Sequence, residues 1–420
     1  MFDLELSWDR PAKLNSQQTN YRYGSHVLRV RIQPKTDANL PSLPIRMAIA
    51  LDTSQSMKGE KLQRAKEACL AVVSHLRDPD YLSLAGYSTR VTPLLESLAG
   101  GGAAAGFAEG AIADLQARGV TRIDLALDWI EESLLPEKSP PLVGVLITDG
   151  HATNAGGTPL DDMKPFIVKA RNMKSCGIIL CAVGLGDAAN FNTSFLTDLS
   201  DQGGGAFIYA DTPDKLLSDL QNRLKADQEI AIVDAKLHLT LLASGVKATS
   251  YCRFRPEYLP LEETRPNELS LGTLRRDYPT DILISLDLPS ISFGEPLGSR
   301  DIISVELTAR GLETPIKKTA AITYTTAYSE AQKVNTEVNR DRQCWEINLY
   351  SKEMIDIGNS NPKRTGELLT EIQVTAAKAG ELDLASQAAQ QLDDLQKTGN
   401  LNPDKATGIL RDSRNLGKTD

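Results

Sequence analysis

The chain has 420 residues, 41% of them hydrophobic, enough for large cores and for two or three domains. Lys and Arg number 46 against 55 Asp and Glu, and the net charge of -9 argues against general nucleic-acid binding. No apolar run approaches a membrane span, the first residues lack a secretory signal pattern, and the five cysteines (Cys69, Cys176, Cys181, Cys252, Cys344) have no zinc spacing, which together point to a cytoplasmic protein with free thiols.

In chain order, Phe2, Leu4, Leu6 and Trp8 alternate with Asp3, Glu5 and Ser7, and Leu28, Val30 and Ile32 alternate with Arg29, Arg31 and Gln33. Both have the period of a half-buried strand. The largely apolar run Ile45 to Leu51 then reads as a buried strand, and it leads straight into Asp52-Thr53-Ser54-Gln55-Ser56. Asp52, Ser54 and Ser56 put three oxygen-bearing side chains on one short turn. Hydroxyl and carboxylate oxygens are hard ligands that suit Mg2+ or Mn2+ rather than Zn2+. Asp and Ser are also ordinary turn and helix-capping residues, so this string alone does not separate a metal site from a cap.

Further along, the loop Gly119 to Asp124 opens a helical pattern with Leu125, Leu127, Ile130 and Leu134. A second apolar strand, Leu142 to Ile147, ends in Thr148-Asp149-Gly150. Ligands of parallel α/β sheets gather at the carboxyl ends of the strands. Asp52 and Asp149 then lie just past two such ends, with Thr121 on a neighbouring loop. Three hydroxyls and two carboxylates suit Mg2+, which prefers six oxygens, keeps several waters, and so leaves a position for an incoming group.

Asp52, Ser54, Ser56, Thr121 and Asp149 resemble the metal-ion-dependent adhesion site of von Willebrand factor A domains: Asp-x-Ser-x-Ser, a distant Thr and a distant Asp. Met57-Lys58-Gly59-Glu60-Lys61-Leu62, Ala182 to Asp187 and Gly203 to Tyr209 are similar to the same family. Gln55 departs from it, standing where many members have Gly, and bears on the turn and the rim of the site. The resemblance implies a Rossmann-like, doubly wound α/β domain over residues 44–227. It also implies that Ser54 and Ser56 ligate a metal directly, Thr121 directly or through water, and Asp52 and Asp149 largely through water and hydrogen bonds. The metal would be Mg2+, with Mn2+ or Ca2+ as alternatives, and a Glu or Asp of a partner protein would complete its coordination.

After this domain, Leu237, Leu239 and Leu241 alternate with polar residues, as do Ile282, Ile284, Leu286 and Leu288, then Ile303, Val305 and Leu307, then Ile322 and Tyr324. Short alternating strands without long helices between them suggest an antiparallel sandwich. The N-terminal strands have no partners of their own, and a lone hairpin is marginal in water. The expectation is therefore that residues 1–43 join residues 228–326 in one β-sandwich, with the α/β domain inserted between them. Residues 327–398 read as an α-helical hairpin, broken at Asn359-Ser360-Asn361-Pro362, whose second helix runs through Gly380. Residues 399–420 read as a polar tail, frayed or weakly docked, with one apolar pair at Ile409-Leu410.

Other chemistry finds little support. No Gly-x-x-x-x-Gly-Lys-Ser/Thr phosphate loop and no Gly-x-Ser-x-Gly nucleophile elbow occurs. Gly184-Leu185-Gly186 reads as a strand-to-loop turn, and Gly100 to Gly106 as a surface loop. The four histidines do not cluster, and His151, two residues past Asp149, is expected to face solvent. A phosphorylated Asp52 would call for a second nearby acid, but position 54 is Ser. The reading is a non-catalytic, Mg2+-dependent protein-interaction module, an adaptor or scaffold; intracellular members of the family suggest an AAA+ ATPase or a component of a multi-gene system as partner. The alternatives are a metal-dependent hydrolase or phosphatase, and a structural protein stabilised by its metal.

Overall fold

A computed structural model describes residues 1–15, 25–35, 40, 42–102, 104–135, 141–291 and 295–418. Its centre is a six-stranded sheet in the order Val91–Ala99, Tyr81–Tyr87, Arg46–Asp52, Leu142–Thr148, Ile178–Leu185, Gly204–Ala210. Only the edge strand Val91–Ala99 runs antiparallel. Each inner strand is buried on both faces, so its alternate residues enter different layers. Met47, Ile49 and Leu51 pack with the helices Glu60–Ser74, Ala104–Ala113 and Pro213–Gln228. Ala48 and Ala50 face the helices Ile123–Leu134, Lys164–Ser175 and Thr193–Gly203.

The strand order reverses at the middle of this sheet. From Arg46–Asp52 the chain winds outward to one edge, then returns to lay Leu142–Thr148 on the other side of the same strand. The loops that leave these two adjacent strands diverge and open a crevice between them, the usual ligand position of such sheets. Asp52 and Asp149 stand at its two sides.

Two antiparallel sheets form a second body. One orders Phe2–Trp8, His26–Pro34, Thr280–Asp287, Lys247–Arg255, Leu259–Leu261; the other orders Glu263–Arg265, Glu268–Arg275, Ile230–Leu241, Gly298–Arg310, Ile316–Thr325, Ala12–Leu14. His26–Pro34 pairs with Phe2–Trp8 on one side and Thr280–Asp287 on the other, Val30 lying opposite both Leu6 and Ile282. Leu4, Leu28, Val30 and Ile32 of the first sheet share a core with Leu237, Leu269, Ile303 and Val305 of the second. The chain leaves this body from one sheet and re-enters through the other, and the two crossings touch: Leu43 N donates to Ile230 O at 3.3 Å. Arg77 ties them, donating to Leu43 O at 2.9 Å and Gln228 O at 3.1 Å while paired with Asp80 at 2.8 Å.

The C-terminal segment corrects the expected hairpin and tail. Its helices are Thr336–Ile357, Pro362–Ala379, Leu382–Thr398 and Pro403–Asn415, preceded by the short turn Tyr328–Ala331. Gly380 does not continue a helix; it ends one, with φ of +85°, a left-handed cap conformation that Gly adopts without penalty. The expected tail is a docked helix, because Ala406, Ile409 and Leu410 are buried and Arg414 finds a buried partner in Asp201 at 2.6 Å. Only residues 419–420 of that stretch lie outside the described residues. The expected glycine-rich surface loop is likewise corrected, since Ala104–Ala113 is a helix that contains Gly106, while Ala103 lies outside the described residues. The helices cover the outer face of the first sandwich sheet through Phe254, Tyr258 and Leu283, and Leu410 reaches the α/β core. Among the described residues no helix is long and apolar enough to cross a membrane.

Candidate functional site

Asp52 is the last residue of its strand and is fully buried, as is Asp149 just beyond the neighbouring strand. Asp52 Oδ1 accepts from Ser54 N at 2.7 Å, an Asx-type turn that bends the chain over the strand end. Gln55–Met57 forms one 3-10 turn, and Met57, fully buried, pins the loop to the core. Gln55 needs no left-handed backbone, so the turn accepts a residue other than Gly.

A chain of short contacts joins four of the five expected residues. Ser54 Oγ lies 3.0 Å from Ser56 Oγ, and Ser56 Oγ donates to Asp149 Oδ1 at 2.7 Å. Asp52 closes the chain from below, its Oδ1 holding the Ser54 amide. Thr121 is buried at 5% exposure, and its Oγ1 and the Ser56 Oγ lie 3.4 and 3.8 Å from the point where a Cβ on Gly150 would stand. A side chain there would make ordinary contacts with both hydroxyls. His151 is exposed, as expected.

Two participants were not legible beforehand. Thr148 Oγ1 donates to Asp52 Oδ2 at 2.8 Å, and Lys61 Nζ donates to Asp149 Oδ2 at 2.8 Å. Thr148 had no signal beyond preceding Asp149. Lys61 did have one, a cation in the first turn of the helix that follows the serine loop, but only the fold brings it to Asp149.

The donor set fits a hard divalent cation. Octahedral Mg2+ bonds of about 2.1 Å put adjacent ligand oxygens about 3.0 Å apart, the spacing of the two serine hydroxyls here. Burial, with the Asp149 charge adding to it, pushes the Asp52 carboxyl up to about 7 against the hydrogen bonds of Ser54 and Thr148. A carboxyl so desolvated gains from a neighbouring positive charge. The residues that would hold such a cation are Asp52, Ser54, Ser56, Thr121 and Asp149.

Comparison with known proteins bears on the domain that carries these residues. Residues 47–223 match the model of the von Willebrand factor type A domain. The "Uncharacterized protein sll0103" of Synechocystis sp. is 25% identical over 283 residues, covering 64% of this chain and 63% of that protein. Inter-alpha-trypsin inhibitor heavy chain H3 of Rattus norvegicus is 29% identical over 182 residues, 41% of this chain but only 20% of its own length. The chain thus spans less than two thirds of either relative. Among solved structures, a von Willebrand factor type A protein from Catenulispora acidiphila superposes with a TM-score of 0.78 at 15% identity, covering 98% of this chain and 96% of that one. The ArnB paralog VWA2 from Sulfolobus acidocaldarius gives 0.57 at 14% identity, covering 100% and 99%. At such identity the likeness is one of fold. Residues 47–223 of this chain form a von Willebrand factor type A domain.

Proposed function

We propose that the chain is a non-catalytic protein-interaction module that captures an Asp or Glu side chain of a partner through a divalent cation, Mg2+ by preference, at Asp52, Ser54, Ser56, Thr121 and Asp149. The observation that carries this reading is the contact chain from Asp52 through Ser54 and Ser56 to Asp149, set in the crevice at the reversal of strand order. The ligand set is rich in neutral hydroxyls, so the chemistry supplied by a bound cation is residual positive charge directed outward, which attracts an anionic oxygen. Asp52 orients the serine loop through the Ser54 amide, Thr148 fixes the Asp52 carboxylate, and Lys61 holds Asp149. Both carboxylates are engaged within the loop network, Asp52 by Ser54 and Thr148 and Asp149 by Ser56 and Lys61. This supports binding over hydrolysis.

An adaptor or scaffold role, with an AAA+ ATPase or another component of the same gene system as partner, rests on the likeness to multidomain relatives. A cytoplasmic setting rests on the five free cysteines, four of them buried. The test is thermal unfolding with Mg2+ and with EDTA, for wild type and Asp52→Ala, followed by pull-down in the same four conditions. A cation at 100 times its Kd stabilises the native state by about 2.7 kcal/mol. Wild type should gain that stability and retain a partner only with Mg2+, and Asp52→Ala should lose both. Identical melting and identical partners in all four conditions would end this reading; a Mg2+ gain without a selective partner would leave a structural metal.

A further inference from the structure

Three loops close into one wall beside the candidate metal site. Arg118 N donates to Thr53 O at 2.8 Å and Gln55 N to Gly119 O at 3.1 Å, while Thr53 N donates to Tyr87 O at 2.7 Å. The turn from Ser88 to Arg90 closes on itself through Ser88 N to Arg90 O at 3.0 Å, and Thr89 Oγ1 accepts from Val120 N at 3.4 Å. The wall is therefore held by backbone bonds, and its outer side chains are not needed to build it. Three of them are exposed cations: Lys58, Arg90 and Arg118. None makes an ion pair with the described residues, whereas Arg122 on the adjoining loop is engaged by Asp124. Of the acids next to these loops in the chain, Glu60 faces Arg64 and Asp124 is paired with Arg122.

We propose that this wall recognises an acidic polypeptide segment, in which carboxylates on either side of the metal-reaching Asp or Glu meet Arg90, Arg118 and Lys58. The inference rests on the carboxylate-capture reading above and adds the kind of partner. Its logic is electrostatic. Asp52 and Asp149 repel any second acid of an incoming ligand, and unpaired cations on an adjoining rigid wall reverse that repulsion on one side of the site. Arginine suits the task because its planar fork matches a carboxylate edge. Exposed pairs are individually weak, so the wall contributes selectivity and association rate more than affinity. In a chain of net charge -9, a wall that carries Lys58, Arg90 and Arg118 is complementary to an acidic partner.

The experiment is fluorescence anisotropy on the full chain with labelled Gly/Ser peptides, one carrying a single central Glu and one carrying that Glu flanked by two further Glu on each side. Each is measured in Mg2+ and in EDTA, at low and at high salt. The flanked peptide should bind about three- to tenfold more tightly in Mg2+ at low salt, and the advantage should shrink as salt rises. The double variant R90Q/R118Q should cut the advantage to less than about twofold while leaving the single-Glu affinity unchanged. Equal binding of the two peptides, or an advantage that survives in R90Q/R118Q, would overturn the inference while leaving metal-bridged capture standing. If Mg2+ raises the melting temperature but neither peptide binds, carboxylate capture itself fails and the wall has no such role. A single-stranded oligonucleotide that displaces the flanked peptide with equal potency would overturn it in favour of unselective polyanion binding.

Discussion

Asp52 is held at both carboxylate oxygens, by Ser54 N and by Thr148 Oγ1, so its position is fixed from the loop and from the neighbouring strand at once. Thr148→Val keeps the shape and removes one donor. The Asp52 oxygen it leaves behind is buried, and an unsatisfied buried acceptor costs about 1–3 kcal/mol. Urea unfolding in EDTA should show that loss. His26 offers a second residue-scale test. It is buried with Nε2 unpartnered, and burial, followed by the Arg10 charge, lowers its ring to about 4 from the ordinary 6.5. Between those values the unfolded chain binds the proton and the folded one does not, so the His26 contribution is complete above pH 6.5 and is lost as pH falls toward 4. Asp52 acts in the opposite sense: its raised carboxyl adds stability below 3.8 that is lost as pH rises through about 7. The two oppose each other over much of the same range. The measurement is therefore the difference between wild type and His26→Leu across pH 5 to 7.5, and the variant should lack the acid-side loss that wild type carries.

At the scale of elements, the terminal helix Pro403–Asn415 ties the C-terminal helices to the α/β domain. Asp404 Oδ1 accepts from Ala188 N and from Tyr209 Oη, each at 2.8 Å, Thr407 meets Thr193 at 2.9 Å, and Arg414 grips Asp201 with two bonds. Arg414→Ala leaves a buried charge without its partner, an error that costs about 3–5 kcal/mol. The double variant R414A/D201A should recover part of the loss, and a double-mutant cycle from urea curves measures how much. The same helix shows where sequence reading stops. The buried strands at 45–51 and 142–148 declare themselves by apolar runs, and the candidates Asp52, Ser54, Ser56 and Asp149 by their place after those runs, so the α/β domain was legible. The terminal helix was not. Its buried face includes Thr407, Ser413 and Arg414, polar residues that are inside only because Thr193, Leu410 and Asp201 satisfy them. Gly380 looked like a tolerated helix interior because nothing local reveals that the chain turns there. Likewise, the alternation of Phe2 to Trp8 signals a strand but cannot say which strand it pairs with.

For the molecule as a whole, the thiols separate into two classes. Burial pushes Cys69 and Cys344 up to about 12 and Cys181 to about 11, and raises Cys252 well above its ordinary value, whereas Cys176 is exposed. The thiolate is the reacting species, so a thiol reagent at pH 8 should label one cysteine quickly in the native protein and five after denaturation. Fast labelling of two or more would show that a core opens.

The two chain crossings beside Arg77 have a consequence for how such a molecule can be taken apart and rebuilt. Because Leu43 and Ile230 meet within one hydrogen bond, the α/β domain begins and finishes at nearly one point in space. A segment with coincident ends needs no spacer to be grafted into a surface turn of an unrelated host, and its removal leaves a gap that a short bridging turn can close. The domain is thus a portable cassette, and a sandwich resealed at that gap would show what the rest of the chain does without it.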